Sequence, residues 1–219
     1  MAKIAMLHTS FVFLDKEPAL RHLLEEAFPD DELVHFVDSD VLATVMRDGQ
    51  ISSESEARMA HLAQAAEAAG ADIIFSACSS LGPAVEAAKS KVSVPVVKVD
   101  EAMAAKAAEM ADRVGVLATV STTIGPTVGL IESAAAQQGK PVQVESAVAE
   151  GAFEVMMAGD AAAHDDKVIA AAKDMAARGV EVIVLAQASM SRLADQLQQA
   201  AGVEVLTSPA LGVDYLRKV

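Results

Sequence analysis

Tryptophan is absent from this chain, and there is only one tyrosine and one cysteine. With aromatics at 3% of residues, there is little to stack on bases, and the core must be built from Ala, Val, Ile, Leu and Met. The ten Met residues read as adaptable core filler rather than as a ligand cluster. A single cysteine forbids an internal disulfide and fits a reducing compartment. Positive charge is scarce, 17 Lys and Arg against 31 Asp and Glu, for a formal net charge of −14. Phosphate binding through counterion release needs a basic surface, so nucleic acid is not an expected partner. No apolar run reaches the roughly 18 residues of a membrane span. The opening MAKIAMLHTS lacks the apolar stretch and cleavage site of a secretory signal. The expectation is a soluble, cytoplasmic chain with no membrane partner.

Its 219 residues suit one large domain or two small ones. Short β-branched runs alternate with Ala-rich stretches. Strands are expected near 3–8, 32–37, 72–76, 95–99, 113–119, 142–148, 181–186 and 203–206. Helices are expected near 17–28, 52–69, 80–90, 100–112, 122–138, 150–158, 161–178, 190–201 and 209–217. Several strands are apolar at every position, as strands covered on both faces must be. The alternation predicts an α/β fold with parallel sheets and helices on both sides.

The second half repeats the first. GADIIFSACSS (70–80) lies over GVEVIVLAQAS (179–189) at an offset of 109, and VPVVKV (94–99) lies over VEVLTS (203–208) at the same offset. With one extra residue, KIAMLHT (3–9) lies over RVGVLAT (113–119). The pattern predicts two pseudo-symmetric, flavodoxin-like lobes with the active site in the interlobe cleft. The first would span 1–98, joined by a C-terminal helix at about 207–219, and the second 99–206.

In open parallel sheets, ligands bind beyond the carboxyl ends of the strands. Here those ends are rich in hydrogen-bonding side chains: His8, Thr9 and Ser10; Cys78, Ser79 and Ser80; Thr119, Ser121, Thr122 and Thr123; Gln187, Ser189 and Ser191. Each group precedes a helix, whose free N–H groups favour an anion. Ser and Thr are also ordinary helix caps, so a single hydroxyl here carries little. Cys78 stands apart, because a thiol opening a helix is eased towards the thiolate. His8 ends the first strand, from where its imidazole could orient the thiol or take its proton. The remaining His residues (22, 35, 61 and 164) lack metal-ligand spacing, and no Gly-rich phosphate loop follows the first strand. Neither a metal nor a nucleotide cofactor is expected.

At these residues the chain resembles the aspartate/glutamate/hydantoin racemase superfamily, which also includes maleate isomerases and arylmalonate decarboxylases. ADIIFSACSS is similar to that family's first Cys-Asn-Thr strand end, with Cys78 at the cysteine and Ser79 and Ser80 replacing Asn and Thr. HTS at 8–10 falls where racemases often carry Asp-Ser. GVLATVSTT resembles a carboxylate-binding turn, and VIVLAQASM resembles the second Gly-Cys-Thr strand end. There the family's second cysteine is replaced by Gln187, whose amide cannot serve as acid or base at neutral pH.

The resemblance implies cofactor-free chemistry at a carbon beside a carboxylate, on a small anionic substrate. Cys78 would act as acid and base with His8 in support, Gln187 would stand opposite, and Thr9, Ser10, Ser79, Ser80, Thr119, Ser121, Thr122, Thr123 and Ser189 would bind the substrate. An amino-acid racemase or epimerase is the leading expectation. A decarboxylase or other lyase, a cysteine-nucleophile isomerase or hydrolase, and a non-enzymatic carboxylate-binding module are the alternatives. Relatives of this kind often form homodimers.

Overall fold

The computed structural model describes residues 1–11, 14 and 19–219. Among them are eight strands: β1 (Lys3–His8), β2 (Glu32–Val37), β3 (Ile73–Ser76), β4 (Val96–Lys98), β5 (Arg113–Ala118), β6 (Gln143–Val148), β7 (Val182–Leu185) and β8 (Glu204–Thr207). The α-helices are α1 (Ala19–Ala27), α2 (Val41–Asp48), α3 (Ser53–Ala68), α4 (Gly82–Lys89), α5 (Glu101–Met110), α6 (Ile124–Gln137), α7 (Ala152–Met157), α8 (Ala161–Ala177), α9 (Ala194–Ala201) and α10 (Ser208–Leu216). The start of the first expected helix, at 17 and 18, lies outside the described residues. The chain divides into two compact units, Met1–Val99 with Pro209–Val219, and Asp100–Ser208.

Each unit holds one all-parallel four-stranded sheet, in the order β2-β1-β3-β4 and β6-β5-β7-β8. The two registers follow the sequence repeat. Ile4 faces Ile73 across β1 and β3, as Val114 faces Val182 across β5 and β7. The next pairing repeats too: Ile74 lies against Val96, and Ile183 against Val205. The central strands β1, β3, β5 and β7 are buried at nearly every position, while the edge strands β2 and β6 share one half-exposed pattern. That difference follows from coverage: a central strand has helices over both faces and neighbours on both sides.

In the first unit, one sheet face packs Ala5, Leu7 and Ile74 against Val41, Val45, Met59, Ala63, Leu81 and Val85 of α2, α3 and the turn into α4. The other packs Ile4, Met6, Phe75, Ala77 and Val97 against Leu20 and Leu24 of α1 and Val213 and Leu216 of α10. In the second unit, Leu117, Ile183, Leu185 and Val205 meet Val168, Ala172 and Met175 of α8 and Leu197 of α9. Each buried Leu, Ile or Val contributes roughly 1.5–3 kcal/mol, so the Ala-rich helices can lie close to the sheet without aromatic bulk.

One helix was not anticipated. In α2, Val41, Leu42, Val45 and Met46 repeat at helical spacing, and the side chain of Asp38 accepts the Asp40 and Val41 N–H groups (3.2 and 3.1 Å). Gly49 ends the helix in the left-handed region, at φ 68°. Two turns between a strand and a longer helix read as loop, because so short a helix depends on tertiary packing more than on propensity.

Gly212 marks the tightest approach of α10. A Cβ there would stand 2.5 Å from the carbonyl oxygen of Val99, a backbone atom that cannot rotate away. Gly→Ala in a helix interior normally stabilises by up to about 1 kcal/mol. Gly212→Ala should instead destabilise by about 2 kcal/mol, measured by urea denaturation.

Candidate active site

The carboxyl ends of the central strands repeat each other down to single hydrogen bonds. Ala77 N–H donates to the Leu7 carbonyl (3.1 Å), as Ala186 N–H donates to Leu117 (2.9 Å). Asp38 N–H donates to His8 (3.0 Å), as Ala149 N–H donates to Ala118 (2.8 Å). The ladders therefore end one residue before Cys78 and one residue before Gln187. Both residues are extended, at φ −119° and −137°, and each leads into a 3-10 turn (Ser79–Leu81 and Ala188–Leu193).

In the second unit this register produces a defined cluster. Gln187 Oε1 accepts from the backbone N–H of Thr119 (2.6 Å), the Thr119 hydroxyl (3.1 Å) and the backbone N–H of Val120 (3.3 Å). Thr119, expected to bind substrate, thus has both its N–H and its hydroxyl occupied inside the protein. Thr123 Oγ1 donates to the Val120 carbonyl (3.2 Å), and Ser191 Oγ to the Ala188 carbonyl (2.6 Å), so both brace their turns. Ser121 is exposed, Thr122 and Ser189 are half-buried, and Thr119 and Thr123 are buried.

In the first unit, Thr9 and Ser80 are buried, while Ser10, Cys78 and Ser79 are half-buried. Ser10 and Cys78 each have a polar partner. The β1–β3 ladder carries Cys78 to the level of Thr9 and Ser10, as β5–β7 carries Gln187 to Thr119 and Val120. The sequence places Cys78 at the mouth of an α-helix. The structure interposes the 3-10 turn, and Pro83 sits in the first turn of α4, where its missing N–H costs nothing. The helix-end field at the sulfur is correspondingly weaker than expected, since it falls off within a turn.

His8 is engaged elsewhere. Along β1 its side chain falls on the face of Ile4 and Met6, whereas Cys78 packs into the cluster on the opposite face. His8 Nε2 meets His35 Nδ1 at 3.0 Å, across from β2. Its own Nδ1 is buried and makes no hydrogen bond. Burial, with His35 as a second cause, lowers the His8 pKa to about 4. Burial, then Arg21, lowers that of His35, partly opposed by Glu25. His35 was unassigned in the sequence. Its link to His8 needed the β1–β2 register, in which Met6 faces His35.

Next to these residues, Arg58 from α3 binds Asp38 (Nε to Oδ2, 2.7 Å) and Asp40 (3.1 Å), holding the turn after β2. That hydrogen bonding keeps the Asp38 carboxyl below the usual carboxylate range. Among the described residues, no group of three or more His, Cys, Asp or Glu side chains could hold a metal. None of the described helices is long and apolar enough to cross a membrane. A groove of about 270 Å³ opens among Arg113, Gln143, Glu145 and Val180, at the amino ends of β5 and β6 and away from the residues above.

The match to a known family covers nearly the whole chain, residues 17–216, and is to the Asp/Glu/hydantoin racemase model. The chain belongs to this family. Its fold is that of solved racemases. Glutamate racemase isoform RacE1 from Bacillus anthracis aligns with a TM-score of 0.79 at 16% identity, over 99% of this chain and 80% of that one. An aspartate racemase homologue from Pyrococcus horikoshii OT3 aligns at 0.69 and 17% identity, over 100% and 98%. Allantoin racemase from Pseudomonas fluorescens aligns at 0.60 and 19% identity, over 99% and 87%. No curated protein sequence matches.

The low pKa of His8 has a consequence for stability. Between its unfolded value of 6.5 and its folded value of about 4, the folded chain binds fewer protons than the unfolded one. Stability should therefore fall as pH drops through that window, by up to about 3 kcal/mol, and level off below it. His8→Gln should flatten this part of the profile in chemical denaturation at pH 7.5, 6 and 4.5.

Proposed function

We propose that this protein is a cofactor-independent, racemase-type isomerase acting at a carbon beside a carboxylate, with Cys78 as its acid and base. Family membership supports the reaction class. The observation that carries the role of Cys78 is its place in the repeat. At the equivalent position of the second unit, an oxygen accepts three hydrogen bonds from the end of the neighbouring strand. A thiolate at such a position gains the donors it needs without Lys or Arg.

In this reading, the Cys78 thiolate removes the hydrogen next to the carboxylate. The C–H electron pair moves into the carbonyl system as an enolate, and N–H and O–H donors stabilise its charge. Return of that proton by Cys78 to the same face restores the starting stereoisomer, so inversion requires a proton delivered to the opposite face by water or another donor. Glutamate and allantoin, named for the relatives' racemases, both carry a hydrogen on a carbon beside a carbonyl group. His8, neutral near pH 7 and bonded to His35 on the opposite sheet face, takes no part in proton exchange with the sulfur in this reading.

Gln187 favours a second reading, a lyase. Its amide has no acid or base group that ionises near neutral pH, and decarboxylation followed by protonation needs only one acid. Deuterium wash-in from D2O, followed by NMR over a panel of amino acids, hydantoins and substituted malonates, separates the two. Exchange in both stereoisomers without loss of carbon supports the isomerase, exchange in one stereoisomer only rejects it, and CO2 release supports the lyase. Cys78→Ala should lower turnover by roughly 10²–10⁴-fold with an unchanged melting temperature. Undiminished turnover in that variant would remove Cys78 from the chemistry.

A further inference from the structure

We infer that Gln187 is a fixed hydrogen-bond donor for a carboxylate or enolate oxygen, with Thr119 as the positioning residue that sets its polarity. The inference rests on the reading that this strand end binds substrate, and it assigns Gln187 a role other than proton transfer.

A carboxamide has one accepting end and one donating end, which usually can exchange places by a half-turn. Here they cannot. The backbone N–H groups of Thr119 and Val120 can only donate, and they point at the amide at 2.6 and 3.3 Å. A half-turn would set N–H against N–H and leave two backbone donors unmet in a part-buried site, at about 1–3 kcal/mol each. The Thr119 hydroxyl adds a third bond to the same oxygen. Oε1 is therefore held against the strand end, and Nε2, with two N–H groups, is directed away from it.

Among the described residues, no side chain or carbonyl accepts from that nitrogen, and Gln187 is only half-buried at the carboxyl end of β7. An oxygen that accepts three hydrogen bonds also polarises its own amide, strengthening the outward donors. In a chain of net charge −14, neutral donors of this kind act on an anion at short range without adding charge. The chemistry they recognise is an acceptor-only oxygen, and a hydroxyl or ammonium group at that point gains less.

The test reverses the polarity while keeping the anchor. Gln187→Glu retains an oxygen for the three donors but presents a second oxygen outward. Binding is measured in the Cys78→Ala background by isothermal titration at pH 7.5, with malonate, succinate and glutarate as probes. The parent should bind at least one of them, Gln187→Glu should bind it at least 30-fold more weakly, and its melting temperature should not fall. Thr119→Val, which removes the third bond, should weaken binding about 3- to 10-fold, and Thr119→Ser should restore it. Equal or tighter binding by Gln187→Glu overturns the proposal, as does a parent that binds none of the probes. Full turnover in Cys78→Ala would instead defeat the acid–base reading while leaving a Gln187 effect on binding intact.

Discussion

Parallel pairing of the two central strands in each unit is the constraint on which everything else depends. Once β1 lies beside β3 with Leu7 against Ser76, the ladder must end just short of Cys78. Once β5 lies beside β7 with Leu117 against Leu185, it must end just short of Gln187. A slip of one residue would turn every side chain of a strand to the other sheet face. Burial of both faces of the central strands prevents that slip, since Ala5 and Leu7 belong to one cluster and Ile4 and Met6 to the other. The positions of Cys78 and Gln187 are therefore held by hydrocarbon packing several residues away from them.

The two strand ends use one backbone arrangement for different side chains. In the second unit an amide oxygen takes up three donors, which settles both the direction of Gln187 and the occupation of Thr119 and Val120. In the first unit the corresponding residue is the thiol of Cys78, half-buried and in contact with the cluster on one sheet face. Oriented N–H and O–H groups whose geometry is built into a fold can meet a negative charge without reorganisation, which is the basis of the reading proposed for a chain with few cations. The His8–His35 pair lies on the other face of the first sheet, where burial keeps His8 neutral and contributes a pH-dependent element of stability.

Much of this was legible in the chain. All eight strands lie within a residue or so of the segments marked by their apolar runs, because strands covered on both faces leave an uninterrupted signal. The repeat was readable for the same reason, and it already paired Cys78 with Gln187 and Thr9 with Thr119. Helix α2 was not legible, being two turns long and stabilised by Val41 and Val45 against the sheet rather than by propensity. The 3-10 turns were also missed, although Pro83 marks where α4 can begin. Family membership, which the strand-end motifs had suggested, is carried by a match over residues 17–216.

What the sequence determined by itself was periodicity and duplication: which segments are strands, that they pair in parallel, and which residues stand at their carboxyl ends. These are local properties, written in side-chain polarity and spacing. Only the tertiary structure decided what those residues bond to. Gln187 could have faced a ligand with either end until Thr119 and Val120, some 68 residues away in the chain, were brought to its oxygen. His8 could have served the thiol until strand alternation and His35, on a neighbouring strand, gave it a different partner. Hydrogen bonds between distant segments depend on register, and register is fixed only when both strands are packed into the same sheet.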